Sequence, residues 1–160
     1  MNEPEKRFAE FRATPDGVAG TLIRWGDVAE IGEFTERFAA GSIDHRGDLI
    51  VNLQHDRGKP VARTGAGLEL RSTDAGIEAA ITWPETAPAR EAKELVEARI
   101  VRGLSMEFRA DKETWKGRER LVTNARLLGL ALVDRPAYPG STIAQRWHVH
   151  NLRTRKKVWF

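Results

Sequence analysis

The sequence predicts an α+β domain built on a mostly antiparallel sheet curled into a barrel, with strands dominant and helices few. Three observations carry this. Short apolar and β-branched runs separated by Gly, Pro and Asp turn signals dominate the chain. One segment has convincing helical periodicity. The apolar fraction is 41% over 160 residues, enough to bury one core without staples.

In chain order, Pro15-Asp16-Gly17 signals a turn, and residues 17–25 read as a strand. Phe34 to Ala40 reads as a short helical or irregular segment, with Phe34 and Phe38 on one side and Gly41 ending it. Asp48 to Gln54 is apolar and branched enough for a buried strand. Asp56-Arg57-Gly58-Lys59-Pro60 reads as a turn. Leu68 to Arg71 alternates, Thr73-Asp74-Ala75-Gly76 turns, and Ile77 to Thr82 returns as the hairpin partner. The clearest helix runs from about Pro88 to Arg102. Thr86 is its N-cap, and Ala92, Leu95, Val96 and Ile100 lie on its apolar face. Gly103 is the expected stop. Leu104 to Arg109 is the next strand. Lys112 to Arg120 reads as a polar hairpin loop, and Leu121–Asn124 and Leu127–Val133 as two further strands. Pro136 and Pro139 end the pattern.

Composition excludes several classes of chemistry. Without cysteine there is no disulfide framework, no thiolate nucleophile and no thiolate zinc site. His148 and His150 stand at i and i+2 without carboxylate neighbours, too little for a metal site. No metal or other cofactor is expected. Residues 1–7 are polar and lack the apolar stretch of a secretory signal, and no run approaches the length of a membrane span. The formal charge of +3 is unevenly placed: Arg146, Arg153, Arg155, Lys156 and Lys157 crowd the end, interleaved with Trp147, Trp159 and Phe160. We therefore divide the chain into a folded domain, residues 1–145, and a basic tail, residues 146–160. The tail alone is a weak footprint for nucleic acid, because the rest of the chain has no basic stripe interleaved with aromatics.

Two short segments about fifty residues apart point to chemistry. His55 closes the run Asn52-Leu53-Gln54-His55-Asp56, and Ser105 lies in Gly103-Leu104-Ser105-Met106-Glu107-Phe108, just past the predicted helix. A hydroxyl is a poor nucleophile near neutral pH unless a base takes its proton, and imidazole titrates in the right range. A Ser and a His carried together by separate strands are the minimum set for acyl transfer. Each also has a plain structural reading: a Ser after a helix end often satisfies a free carbonyl, and a His at a strand end is often simply hydrogen-bonded. His45, in Asp44-His45-Arg46-Gly47, is the alternative base.

Four segments together resemble the HK97-type phage prohead proteases, serine peptidases that mature viral capsids. Gly32 to Ile43 is similar to that family's E-x-F-x-P-G-A-F segment, and Asn52 to Arg63 to its N-H-D-x-x-x-P-x-G-R segment. Gly103 to Phe108 is similar to its G-L-S-x-x-F nucleophile segment, and Leu127 to Gly140 to its closing V-x-x-P-A strand. They occur in the family's order. The resemblance implies the barrel of the herpesvirus assemblins. It also implies a serine endopeptidase in which Ser105 attacks and His55 is the general base, with Gly103 giving the substrate backbone room to approach.

The substrate implied is the scaffold-like N-terminal segment of the major capsid protein, cut inside the procapsid in the bacterial cytoplasm, followed by self-cleavage. A homodimer is compatible with this. A catalytically impaired barrel that serves as an assembly or scaffold protein is the alternative. The chain departs from the pattern at the third catalytic member. Gly129 stands where the resemblance expects a Glu, in Leu127-Leu128-Gly129-Leu130-Ala131-Leu132-Val133. Asp134 is the nearest downstream carboxylate and is the candidate, although its odd offset from Gly129 turns it to the other face of a regular strand. Asp56, Glu107 and Glu78 stay open. Backbone N–H groups near Ser105, or Arg135, are the candidate oxyanion donors.

Overall fold

The computed structural model describes residues 4–134. Twelve strands and one helix follow in order. They are β1 (Glu5–Glu10), β2 (Arg12–Thr14), β3 (Gly17–Arg24), β4 (Ala29–Ile31), β5 (Phe34–Phe38), β6 (Ile43–Asp44) and β7 (Ile50–Leu53). After these come β8 (Asp56–Thr64), β9 (Gly67–Ser72), β10 (Gly76–Thr82), α1 (Ala87–Glu97), β11 (Gly103–Lys116) and β12 (Glu119–Val133). All strands belong to one sheet, whose main path runs β1-β11-β12-β7-β8-β9-β10-β3-β2. The two ends of that path, β1 and β2, are consecutive in the chain, separated only by Phe11, which is fully buried. One bent segment therefore pairs with β11 through β1 and with β3 through β2, and so brings the sheet nearly to closure as a barrel.

The mostly β, few-helix architecture is the one expected. Leu104, Met106 and Phe108 of β11 and Leu130 and Leu132 of β12 point into the main core with Val51, Leu53, Leu22 and Ile77. On the other face of the same strands, Phe8, Ala131 and Val133 form a small separate apolar cluster. Strand alternation divides the two sets.

Several local expectations are corrected. Phe34–Phe38 is a strand, parallel to the start of β12, because Glu36 and Phe38 point inward at period two. The hairpin loop read over residues 112–120 is mostly strand: β11 and β12 continue as a long hairpin that turns only at Gly117, β5 pairs with the start of β12, and β12 is a single strand from Glu119 to Val133. Polar side chains conceal this hairpin because the β11 side, residues 111–116, is exposed on both faces, and the buried Arg120 is itself charged. The stretch 56–60 pairs with β7 as part of β8. The turn chemistry survives as a bulge, in which Asp56 Oδ1 accepts from the Gly58 N–H. β1 and β2 had no counterpart in the sequence reading. The helix starts at its Thr86 cap, whose hydroxyl accepts from the Ala89 N–H, but it ends at Glu97. Arg99 takes φ 62°, the Arg99 N–H reaches Val96 O, and the Ile100 N–H reaches Leu95 O. This is a Schellman closure with Arg in the place usually held by Gly. Ile100, expected on the apolar face, lies outside the helix and is exposed.

A buried ionic cluster ties β1, β5 and β12 together. Glu36, 1% exposed, accepts from Arg7 at 2.6 and 2.7 Å and from Arg120 at 2.9 Å, and Arg120 also reaches Glu5 at 2.7 Å. Burial alone works to raise the Glu5 carboxyl, but Arg120 and Arg7 hold it below the usual carboxylate range. The boundary at residue 145 and the tail lie outside the described residues. Among the described residues no helix is long and apolar enough to cross a membrane.

Candidate active site

Ser105, like Gly103 and Glu107, points away from the main core. It lies between two neighbours in register, Phe8 on β1 and Ala131 on β12. β7 runs parallel to β12, with Leu53 beside Leu132, so the chain leaving β7 emerges next to the end of β12. There it reverses in two residues, Gln54 and His55, between the paired Leu53 and Asp56. Both turn residues have positive φ, 55° and 57°, the backbone of a tight two-residue hairpin that Asn-Gly usually supplies. A histidine in this conformation is a strained choice, held by its surroundings.

The turn aims the imidazole back over β12. Nε2 of His55 lies 3.1 Å from Oγ of Ser105. Nδ1 lies 2.7 Å from Oε1 of Glu107. Ala131, between the two strands that carry His55 and Ser105, has only a methyl group on this face, which leaves the ring room to cross. In the neutral tautomer that suits these contacts, Nδ1–H donates to the carboxylate and Nε2 accepts from the hydroxyl.

His55 titrates below its ordinary range. Partial burial is the main cause and the nearby Lys6 ammonium the next; Glu107 opposes both. Lys6 stands directly opposite Glu107 in the β1–β11 register. Burial and Lys6 thus favour the unprotonated imidazole, against the pull of Glu107.

Glu107 is the residue the sequence left among several. Its signal was available: two residues after Ser105 on a strand is the same face. Asp134 sits at the end of β12, where its backbone N–H donates to Gln54 Oε1 at 3.0 Å, whereas His55 Nδ1 meets Glu107. The space over Gly103 is filled from within: a Cβ there would stand 1.9 Å from Cε1 of Phe8, so the Phe8 ring lies on the glycine. Arg135, His148 and His150 lie outside the described residues. His45 lies on the segment between β6 and β7, and no contact joins it to Ser105 among the described residues. Among those residues no group of three His, Asp or Glu side chains is placed to hold a metal ion.

The model of one protein family, the caudovirus prohead serine proteases, matches residues 7–155 of this chain. The chain belongs to that family. Comparison with curated proteins and with solved structures gave no significant match. A prohead serine protease is a hydrolase, and the family's setting is the assembling capsid of a tailed phage. The match spans all four of the segments on which the resemblance rests, from Gly32 to Gly140, together with the strands that carry Ser105 and His55.

Proposed function

We propose that this prohead protease is a serine endopeptidase with a Ser105–His55–Glu107 triad. The observation that carries the proposal is the unbroken hydrogen-bond line from Ser105 Oγ through both imidazole nitrogens to Glu107. In the first step Oγ attacks the scissile carbonyl carbon while its proton passes to Nε2 of His55. Glu107 holds the Nδ1–H and stabilises the imidazolium that forms. His55 then gives its proton to the leaving amine, and the acyl group stays on Oγ. Water reverses the sequence: His55 takes its proton, hydroxide adds to the ester carbon, and Ser105 is regenerated with a free carboxylate product.

β11 is hydrogen-bonded on both edges, so its amides around Ser105 are committed to the ladder. Donors for the oxyanion come from elsewhere, and Arg135 remains the candidate. Gly103 admits a substrate backbone only once the Phe8 ring has moved aside. Ser105 itself is 0% exposed, consistent with a site that opens for its substrate.

The substrate we assign is the scaffold-like N-terminal segment of the major capsid protein, cut within the procapsid, with self-cleavage as a second event. Co-expression with that capsid protein tests it. The wild-type chain should truncate the capsid protein at its N-terminus, and Ser105→Ala should leave it whole. Equal truncation by both forms would overturn the serine mechanism. No truncation by either, with binding intact, would favour a catalytically impaired assembly protein.

A further inference from the structure

We infer that Gln54 is a positioning residue of the proposed triad: it clamps the two-residue turn that carries His55 to the end of β12. The inference rests on the triad reading and adds a residue that touches none of the reacting atoms.

Two hydrogen bonds define the clamp. The Gln54 N–H donates to Leu132 O at 2.8 Å, and the Gln54 side-chain Oε1 accepts from the Asp134 N–H at 3.0 Å. One residue thus grips β12 on both sides of Val133. The backbone contact continues the parallel β7–β12 ladder by one step. The side-chain contact continues it by one more, beyond the point where the main chain has turned away. The chemistry of the contact fixes its direction, since a backbone N–H requires the carboxamide oxygen rather than its nitrogen.

The clamp is needed because the turn has no conformational support of its own. Gln54 and His55 both have positive φ, and Gln54 is not among the residues, Gly, Asn, Asp and His, that favour it. The irregular pairing that follows, where Asn52 pairs with Pro60 but Leu53 with Asp56, leaves β8 loosely registered on the other side of the turn. The fixed side is β12, the strand whose Ala131 lies beside Ser105. Tying the turn to β12 therefore sets the position of the imidazole relative to the hydroxyl through one rigid strand. A misplacement of about 1 Å between reacting groups is enough to lose about two orders of magnitude in rate.

The test uses the full-length chain and a fluorophosphonate probe. An activated Ser Oγ displaces fluoride from its phosphorus, forming an O–P bond while the hydroxyl proton passes to His55. Gln54→Asn is the informative variant. Asn tolerates positive φ better than Gln, so the hairpin should melt where the wild type does, but the side chain is one methylene too short for the Asp134 N–H. The maximal labelling rate should fall at least about tenfold, with the half-saturating probe concentration changed less than about threefold. Gln54→Glu keeps an oxygen at the same reach and should label within about threefold of wild type.

The Asp134 amide should be protected from hydrogen exchange in the wild type and in Gln54→Glu, and unprotected in Gln54→Asn. Labelling of Gln54→Asn at the wild-type rate would overturn the clamp alone, provided that wild type labels and Ser105→Ala does not. A freely exchanging Asp134 amide in the wild type would overturn it whether or not any variant folds. A wild-type chain that never labels would overturn the triad reading, and the clamp with it.

Discussion

Glu107 and Gly129 face each other across the β11–β12 ladder, on the face of the sheet that carries Ser105. The resemblance that located Ser105 and His55 expects an acid at the position of Gly129. In this chain the acid in contact with the imidazole stands on the neighbouring strand, directly opposite that position. Two cross-strand partners on one face lie close enough for a side chain from either to reach the same place.

This relationship makes a swap testable. Glu107→Gln should lower the cleavage rate by about 10²–10⁴, because the imidazole loses its orienting carboxylate. A Cβ at position 129 would meet only Ile50 O, at 3.5 Å, an ordinary contact, so the site has room for a side chain. Gly129→Glu added to Glu107→Gln should recover about tenfold or more. Gly129→Glu alone should bring no gain, since it sets a second carboxylate beside the first. Rates of capsid-protein truncation across the four combinations decide this. A large gain from Gly129→Glu alone would show that Glu107 does not serve His55.

The pH profile should carry the signature of Lys6. His55 must be unprotonated to accept the Ser105 proton, and burial and Lys6 both hold its titration below the ordinary range. Activity should therefore persist to a lower pH than an unperturbed imidazole would allow. Lys6→Gln removes one depressing charge, so the His55 pKa rises and the acid limb of kcat/KM moves to higher pH. The plateau at alkaline pH should change little. An acid limb that stayed in place, or moved down, would show that Lys6 does not act on His55.

Gly103 and Phe8 should prove coupled. An alanine methyl at 103 collides with the Phe8 ring, so Gly103→Ala should destabilise the fold by about 1–3 kcal/mol. In a Phe8→Ala background the same change should be nearly neutral. A double-mutant cycle from urea denaturation measures the coupling, and simple additivity would mean that the ring is not what fills that space.

Glu36→Gln should be strongly destabilising, by about 3–5 kcal/mol, because it leaves two buried guanidinium groups without their shared carboxylate. The urea midpoint should fall while residual activity in the folded fraction stays close to wild type, since the cluster makes no contact with His55 or Ser105. A loss of activity without a loss of stability would assign the cluster a role in the site.

The readable and unreadable parts of this chain divide on a physical line. Where one face of a strand meets the core and the next segment turns by Gly or Asp, as at Gly67–Thr82, period and turn chemistry agree, and the hairpin was legible. Thr86 and Pro88 likewise marked the helix start. Its end was not legible, because Arg99 adopts the left-handed conformation that normally identifies a glycine. Residues 112–120 read as a hairpin loop because their β11 half has little buried face to impose alternation. Phe34–Phe38 misled for a different reason. Its buried Glu36 breaks the apolar pattern, and only Arg7 and Arg120, distant in sequence, explain it.

At the site, Ser105 and His55 were visible through local context, and their meeting is a property of the β7–β12–β11 neighbourhood. The carboxylate that meets His55 could not be chosen by spacing from Gly129, because cross-strand register is set by tertiary pairing and is not written in either strand alone.

The closing segment β1–β2 gives this barrel an order of assembly. Glu5 pairs with Phe108, Lys6 with Glu107 and Phe8 with Ser105, so the opening stave of the barrel waits for nearly the last one. These are contacts of high sequence separation, the kind that slows folding. The wall of Lys6 and Phe8 beside Ser105 is made by that same closure. A chain still emerging from the ribosome cannot lay β1 onto β11 until β11 has been synthesised, so this wall of the candidate site is among the last parts of the barrel that can be put in place.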